Sequence, residues 1–402
     1  MALHRDIAAD LAAIVLAGTC SLSATQAQAN DAFQVHGFAM QAGIYTSDNS
    51  FGGDSDDAVS TDYNEAGLNF SAEIFQWLRF STQAVTRNAG NYDTGALRTD
   101  YFQFDFALIN NTSNNTGNSS SNKAGIRVGR VKNAYGLFND TRDVAHTRPS
   151  IYVPPIIYWE QLRDIMLFRD GGALYWDNSG DYGTLSFDGG VGKPNITERM
   201  ATEVLFFDVD HIEADDPRVV VARLLWEDAG GNLRLALSTL QAKSGVDVGF
   251  EGEFTAKLYL ASLQYSTERW QLTSEAAFFN YTLSIDDPFL STLSRNTYGD
   301  AIYVQYAWFF TPSWQVYARY DVGYFDRHDR DGDSFEPMQP AAAAFSRDAG
   351  IGARWDISDS WMLSVEAHYI EGMLALSIVD NPQIRSGNPY WNLVAAELAF
   401  RF

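Results

Sequence analysis

The chain has 402 residues, 46% of them hydrophobic and 14% aromatic, with 28 basic against 51 acidic residues and a formal charge of −23. Such a charge repels phosphate backbones and excludes nucleic acid as a partner. The single cysteine, Cys20, lies in a removable leader, so the mature chain has no disulfide and no thiolate metal site. No apolar run approaches the roughly 20 residues that a helix needs to cross a bilayer, which excludes a bundle of transmembrane helices but leaves a membrane barrel of alternating strands open.

Residues 1–29 read as a secretory signal peptide, with His4 and Arg5, an apolar stretch from Leu11 to Gly18, and Ala27-Gln28-Ala29 as the cleavage site. The mature chain, 30–402, carries −22 and is expected to form one β-barrel. From there the sequence alternates with period two, the signature of strands. Leu68, Phe70, Ala72 and Ile74 share one face, opposite Asn69, Ser71 and Glu73. Phe102, Phe104, Phe106 and Leu108 form another such face, as do Trp314, Val316, Ala318, Tyr320 and Val322 opposite Gln315, Tyr317, Arg319 and Asp321. Sixteen strands, give or take two, are expected to start near Phe33, Tyr63, Leu78, Thr99, Lys123, Gly171, Tyr182, Arg218, Leu233, Thr255, Gln271, Thr297, Trp314, Ser346, Trp361 and Trp391. The Asn/Ser run from Asn110 to Asn122 reads as a floppy connection, and Val204 to Ile212 as either a strand extension or a loop.

Short turns alternate with connections of a dozen residues or more, and Trp77, Trp176, Trp226, Trp270, Trp308, Trp314, Trp355 and Trp361 sit beside the short ones. Amphipathic rings at one end of the strands suit a headgroup layer, and the loop asymmetry suits an outer-membrane barrel. Val394, Ala396, Leu398, Phe400 and Phe402 alternate to a terminal aromatic, which resembles the C-terminal assembly signal of outer-membrane proteins. The fold class expected is therefore all-β, a transmembrane antiparallel barrel of about sixteen strands in the outer membrane of a Gram-negative bacterium.

One connection differs from the rest. Residues 133–170 follow the strand Arg127-Val-Gly-Arg-Val-Lys132 and carry the apolar cluster Ile151, Tyr152, Val153, Ile156, Ile157, Tyr158 and Trp159, so the segment should pack against something. Arg127-Val-Gly-Arg130, Gly136-Leu-Phe-Asn-Asp-Thr-Arg-Asp143 and Thr147-Arg-Pro-Ser-Ile151 resemble a porin-like group related to the phosphate-selective porins of Gram-negative bacteria. The resemblance implies a water-filled diffusion channel and a homotrimer, with 133–170 folded into the lumen as a constriction. Two departures stand against a lysine-lined phosphate path or a general porin: only five lysines occur, and the Pro-Glu-Phe-Gly-Gly loop motif is missing.

From Lys123 to Asp170 eight basic residues face five acidic ones, a local +3, while the rest of the mature chain carries −25. Strand arginines such as Arg127, Arg319 and Arg354 should face the lumen, because an arginine in lipid at the midplane costs about 2–4 kcal/mol. The expected constriction comprises Arg127, Arg130, Lys132, Asp140, Arg142, Asp143, Arg148, Asp164, Arg319 and Arg354, passing small polar solutes or ions. The plainer alternative is that Arg142-Asp143 and Arg163-Asp164 are pairs anchoring the loop. Gly190-Val-Gly-Lys193 lacks the Ser/Thr of a phosphate loop. The acidic stretches at Asp54–Asp57 and Asp326–Glu336 read as solvated loop charge, with bridging of lipopolysaccharide through divalent cations as the lesser reading. The histidines show no metal-ligand spacing. No cofactor, no metal and no catalytic residue are expected. The rival classes are a barrel enzyme, for which His368 beside Glu366 is the candidate pair, and a soluble secreted β protein.

Overall fold

The computed structural model describes residues 32–402 except 116–117, 206–207, 250, 288–290 and 337–338; the signal-peptide expectation for 1–29 lies outside the described residues. The strands are β1 (Phe33–Thr46), β2 (Val59–Ser60), β3 (Asn64–Phe75), β4 (Leu78–Asn88), β5 (Arg98–Asn115), β6 (Asn118–Lys132), β7 (Phe168–Gly180), β8 (Gly183–Lys193) and β9 (Glu213–Glu227). They continue as β10 (Leu233–Asp247), β11 (Glu251–Ser266), β12 (Trp270–Asp287), β13 (Ser291–Thr311), β14 (Trp314–Tyr324), β15 (Phe345–Asp356), β16 (Trp361–Gly372) and β17 (Tyr390–Arg401). Two short helices lie between strands, α1 (Arg163–Leu167) and α2 (Glu198–Leu205).

Each long strand pairs antiparallel with the next. β1 then pairs with β3 on one side and with β17 on the other, Phe38 facing Arg401. The two-residue β2 adds only a short pairing to β1. The result is a closed antiparallel barrel of sixteen strands. Closure satisfies the main chain of every strand, which a sheet in lipid requires because an open edge would find no water there.

The alternation is inverted relative to a water-soluble fold. Leu68, Phe102, Val128, Leu174, Ile302, Tyr320 and Ile351 are exposed, whereas Glu65, Arg87, Glu275, Arg319, Glu366 and Glu397 on the opposite face are buried. An apolar outer face and a polar inner face are what a membrane-spanning barrel needs. At the short-turn end the rings pack against one another: Trp314 stacks on Trp355 at 5.1 Å, Trp361 lies tilted on Phe400 at 4.8 Å and Trp270 on Tyr265 at 5.3 Å, and Trp77 stacks between Phe75 at 5.4 Å and Phe106 at 6.3 Å. Trp391 instead lies buried near the long-loop end.

Two expectations are corrected, and one open alternative is decided. The Asn/Ser run is not a loose connection: β5 and β6 stay in register from Asn110 opposite Lys123 to Asn115 opposite Asn118. A main-chain ladder that projects past the aromatic girdle into water needs no apolar face, so alternation gave no sign of it. Of the two readings of Val204 to Ile212, the loop holds for 208–212, and α2 precedes it. Not every connection at the far end is long, since β10 turns into β11 across Asp247 and Glu251, and β12 into β13 across Asp287 and Ser291. Those hairpins are extended strands whose polar tips carry no apolar pattern.

The remaining far-end loops are tied together. Arg199 of α2 donates to the Tyr92 carbonyl at 2.6 Å, and Glu203 accepts from the amides of Ile378 at 3.0 Å and Val379 at 3.3 Å and from the Ser377 hydroxyl. Asp380 accepts from the Asn91 amide at 2.7 Å. Burial pushes the Glu203 carboxyl up to about 7, outweighing the lowering by its three donors. The docked state therefore holds the proton more tightly than a solvated loop does. Docking is strongest below about pH 4.5, the ordinary carboxyl value, and weakens as the pH rises through 7.

Two outcomes are expected. Corrected for intrinsic rate, amide exchange at 377–380 should accelerate between pH 5.5 and 8, and Glu203→Gln should remove that pH dependence; a pH-independent loop in the unmodified protein would refute the linkage. At the chain end, Phe402 exchanges two main-chain hydrogen bonds with Gly37, at 3.0 and 3.2 Å, and a Cβ on Gly37 would lie 2.2 Å from the Phe402 ring. Deleting Phe402 should lower the yield of folded, heat-modifiable barrel, and an unchanged yield would show that the closing seam does not need it.

Candidate functional site

The segment from Asn133 to Leu167 is anchored by turns that its sequence dictates. Gly136 has φ +62°, and a Cβ there would lie 2.3 Å from the Tyr158 hydroxyl, so glycine alone fits. Tyr158 donates to Glu275 at 2.6 Å and accepts from the amides of Leu137 at 3.0 Å and Phe138 at 3.2 Å. Glu275, buried on β12, also accepts from Leu137 N at 3.0 Å, Ser262 at 2.6 Å and Tyr303 at 2.9 Å. Around this polar pin the apolar cluster of the segment, including Leu137, Phe138, Val153, Ile156, Ile157, Trp159 and Met166, packs on Val219, Val221, Leu240, Phe254, Leu258, Leu260, Phe279 and Tyr303 of β9–β13. Each such side chain contributes about 1.5–3 kcal/mol by leaving water.

On the other side the contacts are ionic. Arg148 pairs with Glu65 of β3 at 2.6 Å and Glu397 of β17 at 3.3 Å. Arg163 pairs with Asp143, with Glu160 at 3.3 Å and with Glu65 at 3.5 Å. Arg142 lies 3.6 Å from Glu160 and donates to the Tyr158 carbonyl at 2.7 Å. Lys132 sits between Asp143 and Asp100, the latter at 2.9 Å. Arg87 reaches Glu160 at 2.9 Å and Asp93 at 3.3 Å, and Arg98 reaches Asp93 at 2.8 Å. Burial raises the Asp143 carboxyl, but Lys132 and Arg163 overcome it and hold the group well below the carboxylate range. Glu160 is likewise brought down to about 2, against burial, by Arg87, Arg163 and Arg142. Arg142 is drawn down to about 10 by burial and by Arg163 beside it.

Farther round, Arg319 of β14 donates to Ser150 at 2.6 Å and to the Tyr152 carbonyl at 2.9 Å while pairing with Asp321 at 3.0 Å. Arg354 of β15 donates to the His146 carbonyl and binds Asp356. His368 is buried against Asp348 at 2.8 Å and Glu366 at 3.4 Å, and Glu366 in turn accepts from Ile151 N at 3.0 Å and Tyr317 at 2.6 Å. The pair put forward for an enzyme is thus occupied in holding the segment.

The inner face of β5–β8 has a different character. Gly125, Gly129, Gly171, Ala173, Gly190 and Gly192 give it little bulk, and its charged groups remain partly open. Arg127 is 29% exposed, pairs with Asp188 at 2.7 Å and Asp105 at 3.3 Å, and lies over the Tyr175 ring at 4.4 Å. Beside it Asp140 binds Arg223 of β9 through two contacts of 3.0 Å. Arg169 is buried on Asn133, with its Nη2 lacking a hydrogen-bond partner against Gly190.

Of the ten expected residues, Lys132, Arg142, Asp143, Arg148, Arg319 and Arg354 therefore bind the segment to the wall, and Arg127 and Asp140 border open space. Asp164 is not the partner of Arg163, whose guanidinium turns to Asp143, Glu160 and Glu65. Arg130 is on the other side of the wall: three residues from Arg127, it shares its face with exposed Val128 and pairs with Asp170 at 2.8 and 2.9 Å. Among the described residues no cluster of side chains suits a metal ion. Sequence reasoning missed Glu65, Arg87, Asp188, Arg223, Glu275 and Glu397. Each is a lone charge on the polar face of a strand, and that position was the available signal.

No protein-family model matches the sequence, and neither does any curated protein. Solved structures do match in fold. The outer membrane channel DcaP of Acinetobacter baumannii is 12% identical, with a TM-score of 0.59 over 92% of this chain and 97% of that one. OmpF of Salmonella typhi, in a complex with daunomycin, is 13% identical with a TM-score of 0.54 over 92% and 97%. A loop-deletion mutant of OmpT, an outer membrane protein of Vibrio cholerae, is 12% identical with a TM-score of 0.55 over 92% and 100%. At these identities the likeness is one of fold, and that fold is the sixteen-stranded barrel of outer-membrane porins.

Proposed function

We propose that the protein is an outer-membrane porin, a passive channel for small polar or ionic solutes, in which residues 133–167 fold inside the barrel and narrow it. On this reading the segment covers the inner wall from β9 round to β4 and leaves a water path along β5–β8. The observation that carries the proposal is the partly open Arg127–Asp105–Asp188 group on a glycine-lined inner wall, inside a barrel whose outside is apolar. Charged groups fixed on a narrow path order water and favour polar solutes over apolar ones. The porin structures of the same fold support a channel and, through a neighbour described as a trimer, a homotrimer. Export through a cleaved signal peptide and residence in lipid with lipopolysaccharide belong to the same proposal.

Selectivity on this reading is set by fewer residues than the local +3 suggests. Arg142, Arg148 and Arg163 have their charge answered by buried carboxylates. A phosphate path finds little support, since Lys132 is held between Asp100 and Asp143 and Lys193, Lys243 and Lys257 lie on the outer face. A barrel enzyme finds none in His368, which the segment buries.

In planar bilayers under a salt gradient, Arg127→Gln should move the reversal potential toward cations, because Asp105 and Asp188 lose their counter-charge. Asp188→Asn should move it toward anions, and Arg130→Gln on the outer face should leave it in place. Conductance should change by less than about an order of magnitude. Equal potentials for Arg127→Gln and the unmodified protein would put the selectivity filter elsewhere.

A further inference from the structure

At the short-turn end β5 does not stop where its neighbour does. β4 begins at Leu78, which faces Phe106, and the last main-chain tie on that side is the Ala107 amide donating to the Trp77 carbonyl at 2.9 Å. β5 then runs on through Leu108 to Asn115, with β6 as its only partner strand among the described residues. At a strand's rise those eight residues make an edge about 26 Å long. The other flank of the hairpin is braced, since β6 keeps pairing with β7 as far as Ser121 opposite Ser179, and Trp176 of β7 donates to the Asn122 side chain at 2.9 Å. The bare edge lies on the β4 side, past the turn at Gln76 and Trp77, with Leu108 to Thr112 exposed.

Alternate residues of such an edge turn an amide and a carbonyl to water, which is a template for a further strand. Edges are ordinarily protected by lysine, by proline or by a bulge that breaks the ladder. Here the sequence from Phe106 to Asn122 holds no charge and no proline, in a chain that is 20% charged. The bulge between Ala107 and Ile109 sits at the root, and the ladder beyond it is regular from Asn110 to Asn115.

The edge specifies what would cover it. Main-chain groups spaced at a strand's repeat are met by an extended peptide, whose own amides and carbonyls carry the same repeat. Charge selects further. The hairpin is neutral, and an open hollow of about 340 Å³ beside it is lined only by Asn, Ser and Thr. Amides and hydroxyls of that kind bond uncharged polar side chains, whereas a charged one would find no counter-ion among them. A second copy of the chain would bring its own −22 alongside, so a separate neutral segment is the better fit.

We propose that β5 past Ala107 is a docking strand for an extended, uncharged segment of a periplasmic protein, which adds to the sheet beside it; the periplasmic side rests on the outer-membrane reading above. The test uses the full chain in mild detergent, with a fluorescent octapeptide that alternates Thr with Asn and Ser as the probe and anisotropy as the readout. The peptide should bind saturably. The same peptide with every main-chain amide methylated should bind at least tenfold more weakly, because it keeps the side chains and loses the ladder donors. Shortening the hairpin, with an Asn-Gly turn in place of residues 111–122, should weaken binding as much in a barrel that remains heat-modifiable, whereas Glu268→Gln at another short turn should bind as the unmodified protein does. Absence of binding by the unmodified protein, equal binding of the methylated peptide or equal binding by the shortened hairpin would each overturn the proposal. Full displacement by a tetramer of N-acetylglucosamine would overturn it in favour of a glycan site, and an Asn111→Cys disulfide that joins two copies and excludes the peptide would overturn it in favour of a second copy. Bilayer recordings on the same preparation report separately on the pore: peptide bound at the edge of a barrel that does not conduct would keep the docking strand and overturn the channel.

Discussion

Everything in the interior depends on a charge balance that cannot be met piecemeal. Arg87, Arg98, Lys132, Arg142, Arg148 and Arg163 are linked in one network with Glu65, Asp93, Asp100, Asp143, Glu160 and Glu397. Taking any of these charges out of water alone costs several kcal/mol, and breaking a buried pair by removing one partner typically costs about 3–5 kcal/mol. The segment brings three of the cations, Arg142, Arg148 and Arg163, and two of the carboxylates, Asp143 and Glu160, to a wall that supplies the complement, so it has one place to sit. Wall and segment are each unfavourable without the other.

The second half of that docking is apolar and works by a different rule. Burial on β9–β13 is non-directional, and it would hold the segment in many registers. Glu275 removes that freedom, since its carboxylate is satisfied only when Leu137 and Tyr158 arrive together with Ser262 and Tyr303. With one flank fixed by ions and the other by packing around a single carboxylate, the proposed water path is assigned to β5–β8. The glycines there are consistent with that outcome: a wall of small residues makes no attempt to reach the segment.

Much of this architecture was legible in the chain, and the reasons are specific. Alternation such as Leu68, Phe70, Ala72 and Ile74 survives because a strand in a barrel has one face in lipid along its whole length, so most strand starts fell within a few residues of their observed positions; β6, β9 and β13 begin at Asn118, Glu213 and Ser291, earlier than the expected Lys123, Arg218 and Thr297, where polar hairpin ends carry no apolar pattern. The greasy run Ile151–Trp159 announced that 133–170 must be covered, although 168–170 belong to β7. What alternation could not reveal is which charge meets which across the barrel. Arg148 is 83 residues from Glu65 and 249 from Glu397, and nothing local links them. The surplus of cations at Lys123–Asp170 therefore read as a field when it is largely a set of anchors. Parity along β6 was available, and it separates Arg127 from Arg130.

The central claim is that residues 133–167 cover one inner wall and leave the other to water. Residues 30–402 contain no cysteine, so single cysteines placed in the barrel report position cleanly. Gln103→Cys, on the inner face of β5, and Ser262→Cys, behind the segment on β11, should be treated with a small charged thiol reagent during conductance recording. The account predicts that Gln103→Cys is modified with a stepwise loss of current while Ser262→Cys stays silent. Rapid modification and block at Ser262→Cys, or an inert Gln103→Cys in a conducting barrel, would contradict it.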